Sequence, residues 1–160
     1  MVDYNELPAD SRVWIYQSNK TFTDAQRDSI QQQLESFIKQ WQSHNTPLKA
    51  WAGIKYNRFI QIIVDKSHEA PSGCSIDSSV ALIKDIEKQM QVDMFDRLNF
   101  TYKSDSDSVL SASRPEFSKL YASGAINDNT TVFNNLVSSK AELETQWEIP
   151  LSDSWHSRMV

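Results

Sequence analysis

The sequence predicts an α+β fold with a ferredoxin-like core, whose elements follow the order β-α-β-β-α-β, and with an α/β extension at the C-terminus. Four short segments have the polarity pattern of strands, and two longer segments carry apolar residues at helical spacing. The first and third of these strands are the most apolar, whereas lysines lie in or next to the second and fourth. This polarity is expected if the first and third strands lie in the middle of one sheet and the other two form its edges.

The first strand and the first helix are predicted between residues 12 and 43. Arg12–Gln17 is a short apolar segment bounded by polar residues, which is typical of a strand. Thr23 and Gln26 have the spacing of a capping box, which marks a helix N-terminus. The helix is predicted over residues 24–43. Its apolar face consists of Ile30, Leu34, Phe37, Ile38 and Trp41.

A hairpin is predicted after this helix. Every second residue from Leu48 to Tyr56 is apolar, and two of the four residues between them are lysines, as in a half-buried strand. Phe59–Val64 is nearly all apolar, which predicts a central strand. Asn57-Arg58 between them is predicted to be a tight turn, because asparagine tolerates a positive φ.

The second helix and the fourth strand complete the predicted core. Pro71-Ser72-Gly73 is predicted to interrupt regular secondary structure. Apolar residues at helical spacing then predict a helix over residues 76–90. Residues 98–102 alternate as a strand. The serine- and aspartate-rich stretch Lys103–Ser113 is predicted to break regular structure.

The last third of the chain, residues 108–160, forms the predicted extension. Ser113-Arg114-Pro115-Glu116 begins a short helix with proline in its first turn, and Thr131–Phe133 is a strand. Ser139 and Glu142 have capping-box spacing, which predicts a helix over residues 140–147. We expect a single domain over residues 1–160, with its core at residues 11–103.

Composition and charge argue against several classes of function. The chain has 160 residues, a net charge of -5 and a pI of about 5.1, without a basic face, so we expect no nucleic-acid partner. No apolar stretch approaches the roughly 20 residues of a membrane span. The polar and acidic segment Met1–Asp10 lacks the pattern of a signal peptide. A single cysteine excludes an internal disulfide and favours the cytoplasm.

The best candidate for a functional site is Ser72–Val80, which holds the only cysteine, Cys74, at the start of a predicted helix. Backbone N–H groups at a helix N-terminus favour anions and activate a nearby thiol. Two interpretations of Cys74 are open. It is either a catalytic thiol assisted by His156 or His68 as base, or a small apolar residue packed under a loop, as most lone cysteines are.

The predicted topology brings further polar side chains to the end of the sheet where Cys74 lies. Arg12, His44 and His68 share this end, and a tail that folds back would add His156 and Arg158. We expect a small anion or another small ligand to bind here. The candidate ligand-binding residues are Ser75, Asp77, Arg12 and Arg158.

Two alternatives limit this prediction of a site. Hydroxyls and a carboxylate near a helix start, such as those of Ser75 and Asp77, also serve as ordinary helix caps. Three scattered histidines and one cysteine match no metal-ligand spacing, so we expect neither a metal nor a cofactor.

Four segments, in order along the chain, resemble a family of short, uncharacterised bacterial proteins that often carry the automatic label "ABC transporter ATPase". These segments are Ser11–Ser18, Gly73–Asp77, Thr131–Val137 and Asp153–Arg158. The resemblance spans nearly the whole chain and implies no particular activity. The label requires a G-x-x-x-x-G-K-[ST] phosphate loop, and the only glycines, Gly53, Gly73 and Gly124, are too far apart to form one. We interpret the label as a misannotation and expect no nucleotide hydrolysis.

Three functional hypotheses follow. The first is a cytoplasmic module that binds a small ligand or a protein partner, which is an analogy from the predicted fold. The second is a thiol enzyme that uses Cys74. The third is a structural homodimer that pairs through an exposed sheet face or edge. For the tail, we expect Trp155, His156 and Arg158 to be ordered and to pack near Gly73-Cys74-Ser75, because an aromatic residue is unusual in a frayed end.

Overall fold

A computed structural model describes all 160 residues, which form two compact units. The first unit contains residues 1–95 and 138–143, and the second contains residues 96–137 and 144–160. Residues 96–103, which the sequence placed in the core of residues 11–103, therefore belong to the second unit. No helix of the chain combines the length and the apolar character needed to cross a membrane.

The first unit is a three-stranded antiparallel sheet with two helices packed on one face. Its elements in chain order are β1 (Arg12–Gln17), α1 (Asp24–Gln40), β2 (Gln42–Ser43), β3 (Thr46–Pro47), β4 (Ala50–Lys55), β5 (Phe59–Val64) and α2 (Gly73–Met90). The sheet has the order β1-β5-β4, while β2 and β3 form a separate small hairpin. The core lies between the sheet and the helices. Among its fully buried residues are Ile30 and Leu34 from α1, Ile60 and Ile62 from β5, and Ile83 and Ile86 from α2.

The local signal for α1 acts as predicted, whereas the β4–β5 turn lies one residue before the predicted Asn57-Arg58. The Thr23 hydroxyl accepts the Gln26 N–H at 3.1 Å, and the Gln26 side chain accepts the Thr23 N–H at 2.9 Å. α1 ends at Gln40 rather than at residue 43, because Trp41 takes an extended conformation and leads into β2. The turn between β4 and β5 has positive φ angles at Tyr56 and Asn57. This conformation matches the right-handed twist of the two strands.

The ferredoxin-like strand order is not confirmed. The strand β5 is central and adjacent to β1, and β4 lies at an edge, as predicted. However, β1 also lies at an edge of this sheet instead of in the middle. Its outer side meets a short segment, where the Val13 N–H donates to the Ser138 carbonyl at 3.0 Å and Arg12 forms a bridge with Ser139. The predicted fourth strand, Asn99–Lys103, pairs in the second unit instead.

The second unit is a four-stranded antiparallel sheet covered by a helix. Its strands are β6 (Asn99–Lys103), β7 (Val109–Ser113), β8 (Thr131–Phe133) and β9 (Glu148–Pro150), in the order β7-β6-β8-β9. Helix α3 (Arg114–Ala122) follows β7, and α4 (Lys140–Gln146) spans a boundary between the two units. The core contains Phe100 and Tyr102 of β6, Phe117 of α3 and Val132 of β8. The strand β6 pairs with β7 and β8 on its two sides, which explains why it does not extend the first sheet.

Local signals in the last third of the chain are mostly confirmed. The stretch Lys103–Ser113 is wrong as a break in regular structure, because only its middle is a turn and β7 follows. The capping box of Ser113 and Glu116 is formed at the start of α3. The Ser139 hydroxyl accepts the Glu142 N–H at 3.2 Å at the start of α4.

Candidate functional site

Charged and reactive side chains gather at one end of the first unit, where β5 ends and α2 begins. Val64, the last residue of β5, pairs with the first residue of β1 and the first residue of β4. The polar side chains at these chain ends therefore lie at the same end of the sheet. We call this region the polar end and define it by Arg12, Lys49, Asp65, His68 and Cys74.

The first turn of α2 is organised by its own hydroxyl groups. The Ser72 side chain caps the helix by accepting the Ser75 N–H at 3.1 Å, and the Ser75 hydroxyl donates to the Ser72 carbonyl at 2.8 Å. Ser75 is buried. The helix begins at Gly73, three residues before its predicted start, so Asp77 lies beyond the first turn and is exposed. Ser72 is therefore the cap of α2, Ser75 is held in the first turn by its bonds to Ser72, and Asp77 does not cap the helix.

Cys74 is exposed, so the interpretation of this residue as a small apolar side chain packed under a loop is wrong. The early start of α2 explains the difference, because it turns Ser75 toward the interior and leaves Cys74 facing outward. His68 is also exposed, in the segment between β5 and α2. The hypothesis of a reactive thiol at Cys74 therefore stays open.

A series of aromatic contacts connects Arg12 to the start of α2. The Arg12 guanidinium lies over the Trp14 ring at 4.6 Å from its centroid. Trp14 meets Trp41 edge to face at a centroid distance of 6.4 Å, and the Trp41 indole N–H donates to the Ser75 carbonyl at 2.8 Å. Since Trp41 is buried, these contacts hold the first turn of α2 against β1. Arg12 is thereby connected to the start of α2 through Trp14 and Trp41.

A cavity of about 100 Å³ lies beside β4 at the polar end, lined by Val2, Glu6, Leu7, Lys49 and Asp65. This volume has room for several water molecules. Asp65 is the carboxylate best fixed in position, because its Oδ1 accepts the backbone N–H of Ser67 at 2.9 Å and the Ser67 hydroxyl at 2.5 Å. The hydroxyl bond, helped by the positive charges of Lys49 and His68, lowers the pKa of Asp65. The cavity therefore faces an ionised carboxylate at neutral pH.

The charges around this cavity do not pair with one another. Lys49 makes no ion pair within 4.0 Å with either Asp65 or Glu6. Lys49 and Glu6 are both exposed, and Asp65 is half-buried. Lys49, Glu6 and Asp65 thus line one cavity without neutralising one another by direct contact.

The wall that the N-terminal segment contributes is held in place by a buried lysine. Lys140 of α4 donates from Nζ to the carbonyls of Tyr4 at 3.0 Å and of Leu7 at 2.8 Å, and it lies over the Tyr4 ring. Tyr4 in turn packs edge to face on Trp51. The Val2 N–H donates to the Ala50 carbonyl at 3.1 Å. These contacts fix both Val2 and Leu7 where they line the cavity.

The sequence analysis missed Glu6, Lys49 and Asp65. A signal existed for two of them, because Lys49 directly precedes one apolar strand and Asp65 directly follows its hairpin partner, so strand pairing brings them together. The Asp65-Lys66-Ser67 pattern also favours a local turn closed by the aspartate. Glu6 carries no such signal, because its segment is held by Lys140, more than a hundred positions away in the chain.

The C-terminal tail is folded, and its contacts lie in the second unit. The Trp155 indole N–H donates to the Asn134 side chain at 2.9 Å, and His156 stacks on Trp155 at 3.8 Å between ring centroids. Two of the segments behind the family resemblance therefore meet. Arg158 is exposed. The expected packing of this tail near Cys74, which belongs to the first unit, stays a prediction.

His156 is the most buried of the candidate catalytic residues, with 1% of its surface exposed. Its Nδ1 lies 2.6 Å from the Ser154 hydroxyl, and its ring meets the rings of Phe100 and Phe117. Burial lowers the pKa of His156 to about 4. The imidazole is therefore neutral at physiological pH.

Comparison of the chain with models of protein families, with curated proteins and with solved structures finds no match. The function of the chain is therefore inferred from its own residues.

Proposed function

We propose that this chain is a small-ligand-binding protein that does not hydrolyse nucleotides, and that its ligand binds at the polar end of the first unit. The observation that carries this proposal is the cavity that Lys49, Asp65 and Glu6 line without forming an ion pair with one another. Ligand sites are typically concavities in which a few polar groups converge on an otherwise apolar wall. The volume of about 100 Å³ favours a ligand of only a few heavy atoms.

The support for a binding role comes also from the way the cavity is built. Its apolar side, Val2 and Leu7, belongs to a segment that Lys140 holds through two hydrogen bonds from its Nζ to main-chain carbonyls. Its acidic side, Asp65, is held by Ser67. A site whose walls are fixed before binding loses less conformational entropy when the ligand enters, and this increases affinity.

The predicted ligand-binding residues extend the proposal to an anionic group. Exposed Arg12 and the first backbone N–H groups of α2 lie at the same polar end, and both favour negative charge. Arg158 and Asp77 stay predicted contributors. We also propose that the protein is cytoplasmic and that it binds no nucleic acid, metal or cofactor, which the pI of about 5.1 and the composition of the chain support. Membership of the short bacterial family that the sequence resembles stays an expectation.

The test is a titration of the ¹⁵N-labelled chain, followed by the backbone amide signals of Val2, Leu7, Lys49 and Asp65. Acetate, ethylammonium and L-alanine serve as probes, each raised to about 50 mM, because tiny ligands bind weakly. A saturable shift of these amides with at least one probe is expected. If the chemical shifts of these amides change linearly with the concentration of all three probes, as those of other amides do, the proposed function is contradicted.

The exposure of Cys74 favours a second candidate function, that of a thiol enzyme. A catalytic thiol reacts as the thiolate, so its alkylation by iodoacetamide would be fast well below the pH at which an ordinary cysteine reacts, about 8.5. The rate is measured from about pH 6 to pH 9 for the natural chain and for His68→Asn. A rate already at its plateau near pH 7 in the natural chain, and lowered in the variant, supports an enzyme. A rate that rises through pH 8 in both excludes this role for Cys74.

A further inference from the structure

We infer that the cavity at the polar end is a site for a small zwitterion, a molecule such as an α-amino acid with a short aliphatic side chain. This inference rests on the proposed function and names the chemical class of its ligand. It is carried by the placement of Lys49, Asp65 and Glu6 around one volume that two apolar side chains also line.

The charges of the wall match a ligand that carries both signs. The Lys49 ammonium is available to a ligand carboxylate, because it makes no ion pair with the acids across the cavity. On Asp65, Oδ1 is occupied by Ser67, which leaves Oδ2 to accept hydrogen bonds from a ligand ammonium. Glu6 adds a second carboxylate for that ammonium. The ligand carboxylate then pairs with Lys49, and the ligand ammonium pairs with Asp65 and Glu6.

The same wall discriminates against ligands with a single charge. A simple anion attracted by Lys49 would also face the carboxylates of Asp65 and Glu6, and a simple cation attracted by these acids would face Lys49. Like charges brought together in one site are unfavourable, and this repulsion provides specificity as attraction does. A zwitterion is the one charge pattern that meets each wall group with its opposite.

The volume and the apolar wall limit the rest of the ligand. A cavity of about 100 Å³ holds the volume of a few water molecules, which is enough for an amino acid the size of alanine. Buried Leu7 and half-buried Val2 offer contact to a methyl or ethyl group. Because Lys140 and the Ala50 carbonyl hold the segment that carries both residues, the wall does not open readily for a larger side chain.

The experiment compares the three probes of the same titration by their dissociation constants. L-Alanine is expected to bind at least about tenfold more tightly than acetate or ethylammonium, and L-tryptophan is expected to cause no saturable shift at Val2 and Leu7. Equal affinity of alanine and acetate, or of alanine and ethylammonium, overturns the zwitterion inference while the small-ligand function stands. If none of the probes saturates, both the function and the inference fail. Saturation by tryptophan at the same amides also overturns the inference, because the cavity would then not set the size of the ligand.

Two pairs of variants connect the affinity to the charges. Lys49→Met and Asp65→Asn should each weaken alanine binding by about tenfold or more, since each removes one of the two ion pairs. Lys84→Met and Asp85→Asn change the same two charge types on the exposed surface of α2 and should leave the affinity within about twofold. Lys49→Gln is a second variant that removes the charge and keeps a polar side chain. Unchanged affinity in Lys49→Met and Lys49→Gln contradicts the role of the ammonium, and so does equal weakening in the α2 variants.

Discussion

Protonation of His156 should destabilise the second unit as the pH falls. The imidazole is enclosed by the rings of Trp155, Phe100 and Phe117, and its Nδ1 is held by the Ser154 hydroxyl. Burial lowers the pKa of this residue in the folded chain to about 4, from the ordinary value of 6.5. The unfolded chain therefore takes up a proton at a higher pH than the folded chain does.

The sign and the size of the effect follow from this difference in pKa. Above pH 6.5 the imidazole is neutral in both states, so it contributes no pH dependence. Between pH 6.5 and pH 4 the unfolded state binds more protons, and the free energy of unfolding falls with pH by about 1.4 kcal/mol per unit. At pH 5 the loss from this residue is about 2 kcal/mol, and it levels off at about 3 kcal/mol below pH 4.

The assay is urea unfolding, followed by circular dichroism, of the natural chain and of His156→Asn at pH 7, pH 6 and pH 5. Asparagine keeps a polar atom near the position of Nδ1 and does not titrate, so the carboxylates common to both chains cancel in the comparison. The natural chain should lose about 2 kcal/mol more than the variant between pH 7 and pH 5. If the free energies of unfolding of the two chains fall by amounts that differ by less than about 0.5 kcal/mol, burial of the neutral imidazole does not control this pH dependence.

Three further predictions concern the tail, the lysine of α4 and the nucleotide label. Deleting residues 154–160 removes the Trp155 ring, which packs against the core of the second unit. The melting temperature should fall by about 5–10 °C. An unchanged melting temperature would show that the tail adds no stability. Lys140→Met removes two hydrogen bonds from a buried ammonium to the carbonyls of Tyr4 and Leu7. It should lower the free energy of unfolding in urea by about 2–4 kcal/mol. A decrease below about 0.5 kcal/mol would mean that these bonds make no net contribution to stability. Calorimetry with ATP and magnesium should show no saturable heat, and saturable micromolar binding would contradict the absence of a phosphate loop.

Elements with strong local signals could be predicted from the sequence. The capping box of Thr23 fixes the start of α1, and the nearly all-apolar run Phe59–Val64 identifies the buried central strand. These features depend on residues that are close in sequence. Helix α2 begins earlier than predicted, because its cap, Ser72, lies four residues before Ile76, the first apolar residue at helical spacing.

Pairing between distant segments could not be predicted in the same way. Asn99–Lys103 has the alternation of a strand, but alternation does not specify which sheet accepts it, and here β7 and β8 do. The candidate site could not be predicted for the same reason. The sequence singles out Cys74 because it is the lone cysteine. The cavity, in contrast, depends on strand pairing next to Lys49 and on the hydrogen bonds by which Lys140 holds the N-terminal segment.

The first unit draws one of its parts from late in the chain. Ser138 accepts a hydrogen bond from Val13, and Lys140 bonds to the carbonyls of Tyr4 and Leu7. During synthesis on the ribosome, residues 1–95 are made long before these partners exist. Until they appear, the outer edge of β1 has no strand partner and the N-terminal segment has no anchor. A nascent chain stalled after residue 95 should therefore expose a sheet edge open to pairing with other chains, and it should acquire protease resistance at Tyr4 and Leu7 only once residue 143 has left the ribosome.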